Sequence, residues 1–230
     1  MKKYLLWLGL ALLSAAAATL TSCTKLKPVA LPFEKEILAF AAADKTNPPP
    51  QGAIVFVGSS SVRLWKTLAR DFPDHNVINR GFGGSQMSDV VRYADRIILP
   101  HKPKVIVVRV GGNDIAAGKS PERVAADFQA LVEKIYAALP DANIVFLSLN
   151  SAPSRWKNVE KEKKVNRLVQ DYGAAGHHGI IFVDLMTPML KPDGTLREEL
   201  FRPDRLHCNA AGYQLWTTIL RPVLNTLDPP

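Results

Sequence analysis

The sequence predicts an α/β protein, a three-layer α/β/α sandwich on a five-stranded parallel sheet. Five short apolar runs, at 53–57, 77–78, 105–110, 144–149 and 180–183, have the character of buried strands. Helical periodicities lie between them, and strands separated by helices imply a parallel sheet covered on both faces. The chain of 230 residues is 47% apolar and 22% charged, ordinary for one sizeable core and unlike a disordered or collagenous chain.

The first segment reads as an address. Lys2 and Lys3 precede an apolar stretch from Tyr4 to about Leu20, which ends in Leu20-Thr21-Ser22-Cys23. Residues 1–22 are therefore expected to be a signal peptide. Small residues before Cys23 resemble the lipobox of bacterial lipoproteins, which implies a diacylated Cys23 as the new N-terminus. Two acyl chains hold a protein stably on a bilayer. A bacterial cell-envelope location follows, with the membrane as a partner through that anchor. The alternatives are a secreted protein cut near Ala18 or an uncleaved anchor helix. With Cys23 blocked, Cys208 has no intramolecular partner, and no structural disulfide is expected.

Residues 23–32 form a tether with Pro28 and Pro32. Residues 33–50 hold an amphipathic helix, with Phe33, Ile37 and Phe40 at i, i+4 and i+7, closed by Asn47-Pro48-Pro49-Pro50. This helix is expected to pack on the domain away from the site. Residues 51–230 form the main domain. Within it Ser120-Pro121-Glu122 reads as an N-cap with proline at the first helical position. Val124, Phe128, Leu131, Val132 and Ile135 then make an apolar stripe. Val165, Leu168, Val169 and Tyr172 make a second, and Tyr213, Trp216, Ile219, Leu220 and Val223 mark the last helix.

In such sheets the ligand site lies beyond the carboxyl ends of the strands. Four strand ends carry chemistry. The first run is followed by Gly58-Ser59-Ser60-Ser61, a small hydroxyl-rich turn that can expose a nucleophile or simply cap a helix. The second is followed by Asn79-Arg80-Gly81-Phe82-Gly83-Gly84-Ser85, whose glycines let backbone N–H groups approach a ligand closely. Its spacing is not that of a dinucleotide site. After the third comes Gly111-Gly112-Asn113-Asp114, where an asparagine offers a neutral amide donor. Before the last helix comes Asp204-Arg205-Leu206-His207. A carboxylate three residues ahead of a histidine can bond its Nδ1–H and leave Nε2 as a base. The pair could equally ligate a metal, but no partner set with metal spacing exists elsewhere in the sequence. His177-His178, His75 and His101 are read as solvent-facing loop residues.

These four blocks, in this order, resemble the SGNH hydrolases, the GDSL esterase and lipase family. Gly58-Ser59-Ser60-Ser61 matches the Gly-Asp-Ser block, with Ser59 where the family often has aspartate. Asn79-x-Gly-x-Gly-Gly84, Gly111-x-Asn113-Asp114 and Asp204-x-x-His207 match the other three. The similarity spans about Gly52 to Leu224 and is strongest to the branch of platelet-activating-factor acetylhydrolase-like bacterial proteins. It implies the flavodoxin-like fold of that family and a Ser60, His207, Asp204 triad. It also implies an oxyanion hole made by the Ser60 and Gly84 N–H groups and the Asn113 amide. Ser59 and Ser61 remain rivals to Ser60. Asp114 is expected to brace the asparagine loop, and Cys208 to be a small buried residue.

The implied activity is hydrolysis of carboxylic esters, with short acyl or acetylated glycan substrates favoured. No metal or organic cofactor is expected. Trp65, Phe82, Arg155 and Trp156 are candidates for the pocket wall or for packing. An acetyltransferase with the same triad is one alternative, and a catalytically silent envelope lipoprotein that binds a ligand is another. The net charge of +8 is spread along the chain without an RNP-like, zinc-finger or basic-helix signature, so no nucleic-acid partner is expected.

Overall fold

A computed structural model describes residues 31–176 and 179–229. The predicted leader, Cys23, nearly all of the tether and His177-His178 lie outside the described residues.

The chain opens with helix α1 (Glu34–Thr46) and enters strand β1 (Ile54–Gly58). Two single-turn helices follow, α2 (Ser60–Arg63) and α3 (Leu68–Asp71), and then β2 (Val77–Gly81), α4 (Met87–Ile97) and β3 (Val105–Arg109). Next come α5 (Gly112–Ala116), α6 (Pro121–Ala138), β4 (Asn143–Leu147), α7 (Val159–Ala174), β5 (Ile180–Val183) and α8 (Ala210–Leu227).

All four strand pairings are parallel, in the order β2-β1-β3-β4-β5. Alternating side chains divide the core in two, as the pleat requires. Val55, Val57, Ile106 and Val108 pack toward α1, α4, α6 and α7. Ile54, Phe56, Val105 and Val107 face α8 and the single-turn helices. The chain leaves β1 in one direction to β2 and returns to the other side at β3, so the crevice between the β1 and β3 ends is the switch point of the sheet.

Of the predicted stripes, the α6 set Val124, Phe128, Leu131, Val132 and Ile135 is buried throughout, whereas Val165 and Val169 on α7 and Tyr213, Trp216 and Leu220 on α8 are buried and Leu168, Tyr172, Ile219 and Val223 are half-buried at the stripe margins. Ser120 caps α6, its hydroxyl accepting from the Arg123 N–H at 3.2 Å. Two features differ from expectation. Strand β2 runs on through Asn79, Arg80 and Gly81, pairing Gly58 with Gly81. An edge strand tolerates these polar residues because one flank is free, and Arg80 turns toward α1 to pair with Asp44 at 2.5 and 2.7 Å. Helix α4 goes beyond the expected set. Met87, Val90, Tyr93, Ala94 and Ile97 form its buried stripe, and Gln86 and Asp89 close a capping box at its start.

His75 and His101 correct the surface assignment, being 9% and 4% exposed. His75 bonds Asn225 at 2.9 Å and Asp228 at 3.3 Å, tying the turn before β2 to the end of α8. His101 lies 3.2 Å from the Arg80 guanidinium.

Gly58 ends β1 at φ +154°, and a Cβ there would stand 2.1 Å from the Arg109 carbonyl oxygen on β3. Neither backbone can yield without separating paired strands. Gly58→Ala is expected to cost about 3 kcal/mol, read as a lower midpoint in urea denaturation. An unchanged midpoint contradicts this packing.

Candidate active site

The turn after β1 directs three serines differently. Ser59 is the N-cap residue of α2 and is buried. The Ser61 carbonyl accepts the Tyr213 hydroxyl at 2.9 Å. Ser60 Oγ lies 3.0 Å from His207 Nε2. Asn79 braces this turn from β2, its amide donating to the Val62 carbonyl at 2.7 Å.

His207 stands on a loop held by backbone bonding. Phe201 and Cys208 form an antiparallel bridge, and the Arg202 N–H donates to the His207 carbonyl at 2.8 Å. Asp204 Oδ1 accepts from the Leu206 and His207 N–H groups at 2.9 and 3.0 Å, an Asx-type turn. Its Oδ2 lies 2.8 Å from His207 Nδ1. Arg205 occupies the left-handed region, φ +55°, between them. The His207 N–H, then the imidazole, then the Leu206 N–H all favour the charged carboxylate, so Asp204 is held well below the usual carboxylate range. With the Nδ1 proton directed at Asp204, Nε2 is the acceptor for the Ser60 hydroxyl.

The third block is braced from both sides. Asn113 donates through Nδ2 to the Ser85 carbonyl at 3.0 Å, and its Oδ1 accepts from Arg155 at 2.9 Å. An amide nitrogen carries two hydrogens, so one remains for a ligand. Asp114 is fully buried and accepts the Met87 N–H at 3.2 and 3.0 Å and the Lys119 ammonium at 2.8 Å. It thus ties the asparagine loop to α4, as expected of a brace. Gly84 is exposed at φ +87°, one residue ahead of Ser85. Ser85 in turn donates its hydroxyl to the Gly58 carbonyl at 3.3 Å, which links the glycine turn to β1.

Ser60, Asn113, Arg155 and His207 line one cavity of about 60 Å³, and Gly84 lies outside that lining. Trp65 and Phe82, candidates for its wall, are packing residues. Trp65 stacks with Tyr213 at 5.2 Å, and Phe82 meets the Phe33 ring edge-on at 5.3 Å. Trp156 packs on the α8 side of the core.

Three lining residues go beyond the sequence expectation. Arg109 is absorbed into the third apolar run, yet it lines the cavity. Asn150 accepts from its guanidinium. Glu162 accepts the Ser151 N–H and hydroxyl at 2.7 and 2.9 Å. Glu162 and the buried Asn166 share a face with Val165 and Val169, at i, i+3, i+4 and i+7, and that spacing is the signal that marks them as inward.

Burial pushes the Cys208 thiol up to about 12. The thiolate is scarce at neutral pH, so native Cys208 is expected to resist iodoacetamide and to react once urea unfolds the chain. Peptide mass mapping reads the difference, and rapid alkylation of the native protein contradicts it.

The GDSL-like Lipase/Acylhydrolase family profile matches residues 51–215. Platelet-activating factor acetylhydrolase IB subunit alpha1 of Bos taurus is 31% identical over 182 residues, covering 74% of this chain and 73% of that protein. The Homo sapiens subunit matches at the same identity, over 74% of each chain. Among solved structures, a GDSL-like lipase from Bacteroides thetaiotaomicron superposes with a TM-score of 0.69 at 18% identity, covering 83% of this chain and 97% of the other. A point mutant of an acetyl-xylooligosaccharide esterase from Geobacillus Stearmophilus gives 0.60 at 16%, covering 79% and 97%. At those identities the two structures share the fold.

Proposed function

The chain belongs to the GDSL-like lipase/acylhydrolase family and is a hydrolase of that family, and from that premise we propose that it is a serine esterase using Ser60, His207 and Asp204. The single observation that carries this reading is the continuous hydrogen-bonded path from the Ser60 hydroxyl through the imidazole to the Asp204 carboxylate, at 3.0 and 2.8 Å. Ser60 lies 144 residues before Asp204 and 147 before His207, so this contact is made by the fold and not by the local turn that joins Asp204 to His207.

A serine hydroxyl is a poor nucleophile until a base takes its proton. His207 Nε2 accepts that proton as Ser60 Oγ bonds to the ester carbonyl carbon. The carbonyl electron pair moves onto oxygen, and the oxyanion is stabilised by the Ser60 N–H and the Asn113 amide, which line the cavity, with the Gly84 N–H, outside that lining, as the third donor the family resemblance implies. Asp204 keeps the imidazole in its tautomer and offsets the positive charge. Collapse breaks the bond to the alkoxide, which leaves with the proton from His207. Water, deprotonated by the same imidazole, then releases the acid and restores Ser60. Arg155 holds the Asn113 carbonyl oxygen and so aims its N–H at the developing charge.

The cavity of about 60 Å³ favours a short acyl group. An acetyl group is named for similar proteins, the acetylhydrolase subunits and the acetyl-xylooligosaccharide esterase. The proposed lipid anchor at Cys23 rests on the sequence and places the enzyme on a bacterial envelope membrane. Mass spectrometry of the mature N-terminus tests it.

A fluorophosphonate probe tests the hydrolytic reading. It is expected to label Ser60 alone and to stop hydrolysis of 4-nitrophenyl acetate in proportion. Labelling elsewhere, or full activity in the labelled protein, overturns the assignment.

A further inference from the structure

The cavity floor carries a charge that the steps above do not use. Arg109 is the last residue of β3 and shares its face with Val105 and Val107, so its side chain runs under the nucleophile turn toward α8. The residue is 8% exposed. One guanidinium nitrogen donates to Asn150 Oδ1, and Asn150 is itself held through Nδ2 by Met189 Sδ at 3.0 Å. The Arg109 Cζ lies 5.5 Å from the Trp216 ring centroid. Its Nε has no hydrogen-bond partner.

Arg80 is the informative contrast. It too is buried with a partnerless Nε, but its charge meets the Asp44 carboxylate at 2.5 and 2.7 Å. Among the described residues no carboxylate forms an ion pair with Arg109. Glu162 shares the cavity and acts on Arg109 only at longer range, with Oε2 held by Ser151. A guanidinium is always charged and matches a carboxylate in geometry. Buried without a directly paired carboxylate, and offset by Glu162 only at longer range, it is costly, and a cleft that also holds Ser60 and His207 is where an incoming anion would reach it.

We propose that the acyl pocket selects short acyl groups ending in a carboxylate, half-esters of the malonyl type, with Arg109 as the specificity-determining residue. This rests on the esterase reading and deepens it. Size agrees: a cavity of about 60 Å³ suits a short extension of the ester carbonyl such as CH2–COO⁻ rather than a long chain. An acetyl group leaves the floor charge unanswered, and a carboxymethyl continuation answers it.

Monoethyl malonate and ethyl isovalerate have nearly the same shape and differ in charge. Ethanol release by the wild type is expected to give kcat/KM at least about tenfold higher for the half-ester, with the preference shrinking as salt rises. Tryptophan fluorescence of Ser60→Ala titrated with the two intact esters reads binding without turnover, and only the half-ester is expected to saturate. Arg109→Met is expected to abolish both differences. If that variant does not fold, the wild-type ratio and the Ser60→Ala titrations still decide. Equal or lower kcat/KM for the half-ester, with no tighter binding, overturns the proposal. If the uncharged ester is cleaved in a Ser60-dependent way in that case, the esterase reading stands. Selective binding of the half-ester without hydrolysis of any ester leaves the anion site standing and removes the esterase reading.

Discussion

Replacing His207 by alanine is expected to lower kcat for 4-nitrophenyl acetate on the order of a million-fold, with the fold intact. The imidazole is the proposed base, with the Ser60 hydroxyl 3.0 Å from its Nε2, and among the described residues no second histidine lines the cavity. The fold should survive because the loop is closed by the Phe201–Cys208 bridge and by the Arg202 to His207 backbone bond, neither of which uses the ring. Urea denaturation should therefore shift by no more than about 0.5 kcal/mol. Asp204→Asn is expected to cost less, about ten-thousand-fold, because it disturbs the tautomer without removing the base. Activity of His207→Ala within a hundredfold of the wild type sinks the mechanism.

Asn113→Ala is the second large effect, a fall of about 100- to 1000-fold in kcat with little change in KM. The amide bonds an oxygen whose charge grows only as Ser60 attacks, so the ground state loses little. Arg155→Met should follow the same pattern more weakly, up to about a hundredfold, since it misaims the amide rather than deleting it. The double variant separates the roles. If Arg155 acts through Asn113, to which it donates at 2.9 Å, its effect vanishes in the Asn113→Ala background. Additive losses would mean that Arg155 meets the substrate directly. A rise in KM with unchanged kcat for Asn113→Ala would remove it from the oxyanion hole.

Much of this site is legible because its signals are local. Asp204 and His207 lie three residues apart, and a single turn both caps the backbone and orients the ring. The Ser120-Pro121 cap and the α6 stripe are read from neighbours along one helix. Errors fall where a residue answers to a partner far away. Arg80 and Gly81 look like turn residues, yet pairing with β1 extends the strand through them. His75 looks exposed beside its proline, and residues some 150 positions later bury it.

Strand and helix periods and caps were enough to identify a parallel α/β sandwich, and the resemblance of four ordered polar blocks to a known family nominated Ser60, Gly84, Asn113, Asp204 and His207, with Ser59 and Ser61 as rivals. Those features depend on residues close along the chain, where geometry is nearly set by chemistry. Bringing Ser60, rather than Ser59 or Ser61, to His207, joining Arg155 to Asn113 and leaving Arg109 without a directly paired carboxylate at the cavity all required the folded sheet. Each depends on which strands are neighbours and which face a side chain takes, and packing settles both across the whole chain at once.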